Sequence, residues 1–435
     1  MVRFNRGLAA ELGLDGEALD SEAGAAIFAG NTVPEGAMVL AQAYAGHQFG
    51  HFVPQLGDGR ALLLGEVIDV HGQRRDIQLK GSGRTAFSRG GDGKAAVGPV
   101  LREYLLGEAM HGLGVPTTRA LAAVTTGEMV HREQPFPGAV LTRVAASHIR
   151  VGTFQFFASR GDTEKLRALA DYTIRRHYPA VESYLGLLGA VIDAQASLLA
   201  RWMHIGFIHG VMNTDNMAIS GETIDYGPCA FIDQYRALTV FSSIDRGGRY
   251  AYGQQPEIAL WNLTRFAETL LPLVDGNVEA ATAELQRFGH LYERYWERGM
   301  RAKLGLTTEE AGDAELARGL LQTMEAGGLD YTQTFRGLAG GVELGAWGER
   351  WRERLAREGA TPETRAEAMD GVNPVYIARN HQVEIALAAA ERADYGPFAA
   401  LCEVLAAPFT ERPGWEAYAG PAPDGNVGYK TFCGT

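Results

Sequence analysis

HGVMNTDNMAISGETID, residues His209 to Asp225, follows a long apolar run of helical periodicity and sets Asn216 and Asp225 nine positions apart in loop and turn context. Both side chains offer hard oxygen atoms, the donors that hold a divalent cation against phosphate. Asp225-Tyr226-Gly227 reads as a turn opened by an acid. Asp215, directly before Asn216, supplies a second carboxylate and is a candidate proton acceptor.

Toward the N-terminus, YAGHQFGHFVPQLGDGRALLLGEVIDV, starting at Tyr44, reads as strand, Gly-rich turn and strand, with Asp58-Gly59 predicting a tight hairpin. Gly57 and Gly59 leave room for the backbone to approach a phosphate, and Arg60 adds charge beside them. In the next strand, Asp76 to Lys80, alternation turns Ile77 and Leu79 to the core and puts Gln78 and Lys80 on the other face. The loop after it, GSGRTAFSRGGDGKAAVG, combines Gly81, Gly83, Gly90, Gly91, Gly93 and Gly98 with Arg84, Arg89 and Lys94, a composition suited to cradling an anion. Asp92-Gly93 is the odd pair there, since an acid does not hold phosphate directly. A helix opening near Pro99 carries Glu103 to within reach of Lys80. Strands at 119–126 and 139–144 complete a small unit ending near Ala146, and Arg143 and Arg150 lie at its junction with the rest. Two guanidinium forks there suit phosphate charge.

Beyond the junction the chain reads as mostly helical, with periodic stretches at 165–176 and 184–205. Gln255-Pro256-Glu257 precedes the apolar helix IALWNLTRFAETLLPL, amphipathic helices follow to Ala406, and NPVYIARNHQVEIAL at 373–387 looks exposed. Gly-rich hairpin, Lys80, Glu103, long helix, Asn216, Asp225 and Pro256-Glu257 follow the order of a protein-kinase-like fold. The expected architecture is therefore α+β and two-lobed: a sheet-rich nucleotide-binding lobe at 1–146 and a helical lobe at 147–435. In that pattern the catalytic base follows His209-Gly210, but the position holds Val211, which accepts no proton. Three readings stay open: transfer at another phosphorus with Asp215 as base, a conventional kinase, or a non-catalytic nucleotide-binding pseudokinase.

Composition narrows the partners. A chain of 435 residues with 46% hydrophobic and 21% charged residues buries a large core, and a formal charge of -12 argues against nucleic acid or an anionic membrane. The N-terminus lacks the apolar segment of a signal peptide and no later run reaches spanning length, so the expected location is cytoplasmic. Cys229, Cys402 and Cys433 are too scattered for a disulfide framework or zinc site, although Cys433 near the end has the setting of an exposed thiol.

GHQFGHFVPQLGDGRALLLGEV, QLKGSGRTAFSRGGDGKAAVGPVLREYLLGEAMHGLGVPTTRAL and HGVMNTDNMAISGETIDYGPCAFID closely resemble the selenoprotein O family over nearly the whole chain. The resemblance implies a pseudokinase fold acting as a protein adenylyltransferase, which moves AMP from ATP to Ser, Thr or Tyr hydroxyls of proteins. It further implies ATP bound in the flipped sense, so that the α-phosphorus meets the acceptor, with Mg²⁺ or Mn²⁺ as cofactor and UMP transfer from UTP as a variant. By motif, Gly57, Gly59 and Arg60 contact the nucleotide, and Lys80 holds phosphate braced by Glu103. Asp92 and Gly93 meet the adenosine end, and Arg143 and Arg150 clamp phosphates. Asp215 accepts the proton, while Asn216 and Asp225 hold the metal, Asp225 also touching ATP through it. Family members carry selenocysteine or cysteine where Cys433 stands, some pairing it with a cysteine in the activation segment. TVFSSID at 239–245 contains none, so redox switching by that disulfide is not expected unless Cys229 takes the missing partner's place.

Overall fold

A computed structural model describes residues 1–423, 425–426 and 428–432, so the expectation for Cys433 lies outside the described residues. The chain is α+β, and its main sheet is antiparallel, in the spatial order Arg3–Phe4, Arg119–His131, Pro135–Ala145, Arg74–Lys80, Ala61–Ile68. The short strand Ala95–Ala96 also pairs with Pro135–Ala145. One face is apolar: Leu79, Leu121, Val140 and Val144 pack against Phe4, Leu8 and Phe28 from the N-terminal segment. The other face carries Gln78, Lys80 and Arg143, of which Lys80 and Arg143 line a cleft.

Helix Val97–Gly112 lies behind that cleft and is buried on nearly every side, which its broad apolar stripe demands. Leu101, Leu105 and Met110 share a core with Val383, Phe398 and Leu401 of the helices Asn380–Ala390 and Gly396–Leu405. Arg102 on the same helix donates to the carbonyls of Gly227 (3.1 Å) and Cys229 (2.7 Å), tying it to the turn after Asp225. The remaining chain is helical, with Tyr184–His204 packed against Val278–Lys303.

Three local expectations need correcting. Asp58-Gly59 forms no two-residue hairpin; it lies on one arm of a wider ribbon in which Leu56 and Asp58 donate backbone hydrogen bonds to Tyr44 and Gln42. The Asp58 side chain accepts from the Gln42 N–H and from Gln78 Nε2, so it is buried at 2% exposure instead of lying at a solvated turn tip. The strand predicted to end at Thr126 runs on to His131 because a register shift between Thr125 and Met129 absorbs Gly127 without ending the pairing. Residues 373–387 are largely buried, because their polar groups find distant partners: Arg379 pairs with Asp233 at 2.6 Å and Asp330 at 2.7 Å, and Asn380 exchanges hydrogen bonds with the Phe231 backbone.

Candidate active site

Antiparallel register sets Gln78 opposite Arg143 and Lys80 opposite Leu141, so Gln78, Lys80 and Arg143 share one face. Gln78 Oε1 accepts from Arg143 Nη2 at 2.6 Å, aiming the guanidinium into the cleft. Lys80 Nζ lies 2.6 Å from Glu103 Oε2 and 2.7 Å from Asp225 Oδ1. Arg143 Nη1 lies 2.9 Å from Glu103 Oε1 and 2.7 Å from the same Asp225 oxygen. Arg150 Nη1 reaches Asp225 Oδ2 at 2.5 Å and the Asp215 carbonyl at 2.7 Å, while its guanidinium sits 4.7 Å from the centre of the Tyr44 ring. Burial alone would raise the Asp225 carboxyl; the opposing pull of Arg150, then Lys80 and Arg143, holds it well below the usual carboxylate range. Its backbone takes φ of 62°, a left-handed conformation uncommon outside glycine, which turns the carboxylate back among the three cations.

Asp215 sits in the short helix Thr214–Asn216 and is in the opposite electrostatic state. Burial pushes its carboxyl up to about 6, against the lowering effect of Arg150 and with a further rise from the charge of Asp225. Its Oδ2 accepts from Gln48 Nε2 at 3.4 Å, and its buried Oδ1 has no hydrogen-bond partner among the described residues. The loop is roofed by the hairpin Gly46–Gln48/His51–Val53: the N–H of His47 donates to Thr214 Oγ1 (2.7 Å) and that of Phe49 to Asn213 Oδ1 (3.0 Å). A Cβ on Gly46 would lie 2.5 Å from Asp215 Oδ1, so this glycine gives the carboxylate its room. Asn216 Nδ2 donates to the Val211 carbonyl at 2.9 Å, leaving its Oδ1 as the uncommitted end. Gln48, Asn213, Tyr44 and Gln78 all support the site and were not singled out from sequence. The polar, Gly-flanked run GHQFG was the available signal for Gln48.

The residues assigned by motif to nucleotide, metal or proton transfer line one cleft of about 1150 Å³: Gly57, Gly59, Arg60, Lys80, Asp92, Gly93, Glu103, Arg143, Arg150, Asp215, Asn216 and Asp225; Gly81 and Gly83 of the anion-cradle loop are not part of its lining. Residues 1–343 match the family described as protein adenylyltransferase SelO. The chain belongs to that family. It is also 61% identical over 459 residues to a protein nucleotidyltransferase YdiU of Cereibacter sphaeroides, covering 100% of this chain and 94% of the relative. The YdiU proteins of Rhizobium meliloti (58% over 461 residues) and Rhizobium rhizogenes (57% over 461 residues) are likewise matched over 100% of this chain, and over 94% and 92% of their own lengths.

The Gly-rich segments of this SelO-family chain fit one another closely. A Cβ on Gly57, whose φ is 77°, would lie 2.3 Å from the Phe87 ring, and one on Gly59 would lie 2.9 Å from the Phe87 carbonyl. Thr85 and Ser88 donate to the carbonyls of Asp58 and Gly59, each at 2.5 Å. These glycines are thus required first by the loop folding over them, whatever ligand lies beyond. Gly93, with φ of 68°, backs onto Gly83 so tightly that a Cβ would meet its carbonyl at 2.0 Å. Asp92 accepts two hydrogen bonds from Arg132 (2.8 and 3.0 Å) and one from the Lys94 N–H; with Arg132 the main cause, its carboxyl falls to about 2. Gly57→Ala is expected to destabilise the fold by about 1 to 3 kcal/mol through the clash and the left-handed φ together, read as a drop in thermal midpoint. An unchanged midpoint would mean that the 81–94 loop does not lie against Gly57.

Proposed function

We propose that the cleft transfers AMP from ATP to Ser, Thr or Tyr hydroxyls of proteins, within a protein-kinase-like two-lobed arrangement of a nucleotide-holding part at 1–146 and a helical part at 147–435. The observation that carries this reading is the pairing of two unlike carboxylates. Asp225 is ionised among three cations, and Asp215 is buried with a free oxygen and a carboxyl near 6, while Val211 fills the usual base position. Opposed carboxyl environments of this kind separate a charge-holding group from a proton-transferring one.

In the proposed step Asp215 takes the acceptor proton as the hydroxyl oxygen bonds to the α-phosphorus. The bond from the α-phosphorus to the bridging oxygen breaks, and pyrophosphate leaves. Lys80, held by Glu103, together with Arg143 and Arg150, balances the charge gathered on the leaving phosphates. Gly57, Gly59 and Arg60 would line the nucleotide path, with Asp92 and Gly93 at its adenosine end.

Among the described residues no three His, Cys, Asp or Glu side chains form a metal cage. Mg²⁺ and Mn²⁺ on phosphate need only one or two protein oxygens, and the uncommitted Asn216 Oδ1 and the ionised Asp225 carboxylate fit that chemistry. When bound there, the cation supplies neutralisation of phosphate charge. UTP in place of ATP, with Mn²⁺, belongs to the same proposal, as does a cytoplasmic setting; no helix among the described residues is long and apolar enough to cross a membrane.

Incubation of the chain and an acceptor protein with ATP labelled at the α- or the γ-phosphorus tests the reading. Label from the α position on protein is expected. Label from the γ position would make it a conventional kinase, and no label with retained nucleotide binding a pseudokinase scaffold.

A further inference from the structure

We propose that the face formed by the hairpin Gly46–Gln48/His51–Val53 and the helix Gln255–Leu270 docks an acidic stretch of the acceptor protein beside the hydroxyl to be modified. The inference rests on the transfer reading above and adds to it the chemistry of the acceptor. The chain as a whole carries 52 acidic against 40 basic residues, so a face that gathers arginines runs against its average. On this face the Arg249 guanidinium lies 4.8 Å and that of Arg265 5.2 Å from the centre of the same Trp261 ring. Stacking fixes the planar forks and leaves their edges to meet carboxylates.

The local acids do not use up these forks. Asp245 spends its oxygens on the backbone N–H groups of Arg249 (2.9 Å) and Tyr250 (2.8 Å). Arg265 pairs at 2.7 Å with Glu268, whose side chain is 49% exposed. Exposed Arg246 adds a further cation at an adjoining hollow of about 840 Å³ that Arg249 also lines, with Glu257 as an opposing charge at its rim.

The face is physically continuous with the site. The His47 ring stands edge-on to Trp261 at 5.2 Å and packs 4.9 Å from the ring of Phe52, which is 41% exposed. The residue after His47 is Gln48, whose amide reaches Asp215. A segment lying across Trp261 and Phe52 is therefore delivered toward the proposed base by the hairpin that holds it. Aromatic anchors with arginine are also the residues that dominate protein recognition energetically.

The test uses the full chain and three fluorescent peptides, each with a single threonine flanked by short runs of Asp, Asn or Lys. Anisotropy reads binding, and α-labelled ATP reads transfer. The Asp-flanked peptide is expected to bind tightest. The double variant Arg249→Glu/Arg265→Glu should weaken its binding by about tenfold, and Arg249→Lys/Arg265→Lys should restore most of it. ATP turnover without peptide should not change in either variant. Should the charge-reversed chain fail to fold by circular dichroism, the Lys variant and a salt series on the parent chain decide, since the Asp preference must fade as salt rises. Equal binding of the three peptides, a preference insensitive to salt, or tighter binding of a short oligonucleotide would overturn the inference. Preferential binding of the Asp-flanked peptide without α-label on it would sustain the docking face and defeat the transfer reading instead.

Discussion

Asp225→Asn is expected to lower nucleotidyl transfer by about 10³-fold or more while leaving metal-free ATP binding intact or tighter. The two effects separate because the carboxylate has two jobs in the proposal. It is the charged donor that Asn216 cannot replace alone, and it is the counter-ion of Lys80, Arg143 and Arg150. Without its charge, Glu103 still serves Lys80 and Arg143, but Arg150 is left with Asp58, 3.9 Å away, the Asp215 carbonyl and the face of the Tyr44 ring. Breaking a buried pair in this way typically costs about 3 to 5 kcal/mol, so the thermal midpoint should fall. The surplus positive charge then favours phosphate, which titration of ATP in the presence of a chelator would register. The pH dependence has a definite sign. The carboxyl is depressed from its ordinary 3.8, so its stabilisation is complete above that value and is lost as pH falls below it. The gap in stability between parent and variant should accordingly close in acid. Transfer within tenfold of the parent would remove Asp225 from the mechanism.

What could be read in the sequence followed the range of the interactions involved. Lys80 and Glu103 were legible because a strand alternation and a helical period each fix one side chain, and both point into the space between their elements. Arg143 was legible as a cation near a junction, but its partner Gln78 was not, since that pairing depends on the register between Arg74–Lys80 and Pro135–Ala145. Asp58-Gly59 misled because the same dipeptide serves a hairpin tip and a buried ribbon, and only the contacts with Gln42 and Gln78 distinguish them. Gly57 and Gly59 were read toward a ligand, whereas their nearest constraint is Phe87, some thirty residues on in the chain. Residues 373–387 looked solvated because Arg379 and Asn380 are polar; burial became affordable only through Asp233, Asp330 and the Phe231 backbone. Local periodicity sees none of these long-range satisfactions.

Asp215→Asn should separate activity from stability in the opposite direction to Asp225→Asn. As the proposed proton acceptor, Asp215 contributes about 10² to 10⁴ in rate, and transfer should fall by that factor. Because its carboxyl sits near 6, the parent rate should climb with pH through about 6 and level off above it, and the variant should lose that rise. The fold pays for this readiness. A carboxyl raised from 3.8 to about 6 destabilises the protein wherever it is ionised in both states, by about 3 kcal/mol at pH well above 6. Stability contributed by such a group is fully present below the ordinary carboxylate value and is lost as pH rises through about 6. Asparagine carries no charge to desolvate, though an amide facing the site of the unpartnered Oδ1 gives back about 1 kcal/mol. The variant is therefore expected to be more stable than the parent by about 2 kcal/mol at pH 8 and no more stable at pH 4, as read by denaturant unfolding at the two values. A variant that loses both rate and stability at pH 8 would show that Asp215 holds the loop together instead of being held desolvated for proton transfer.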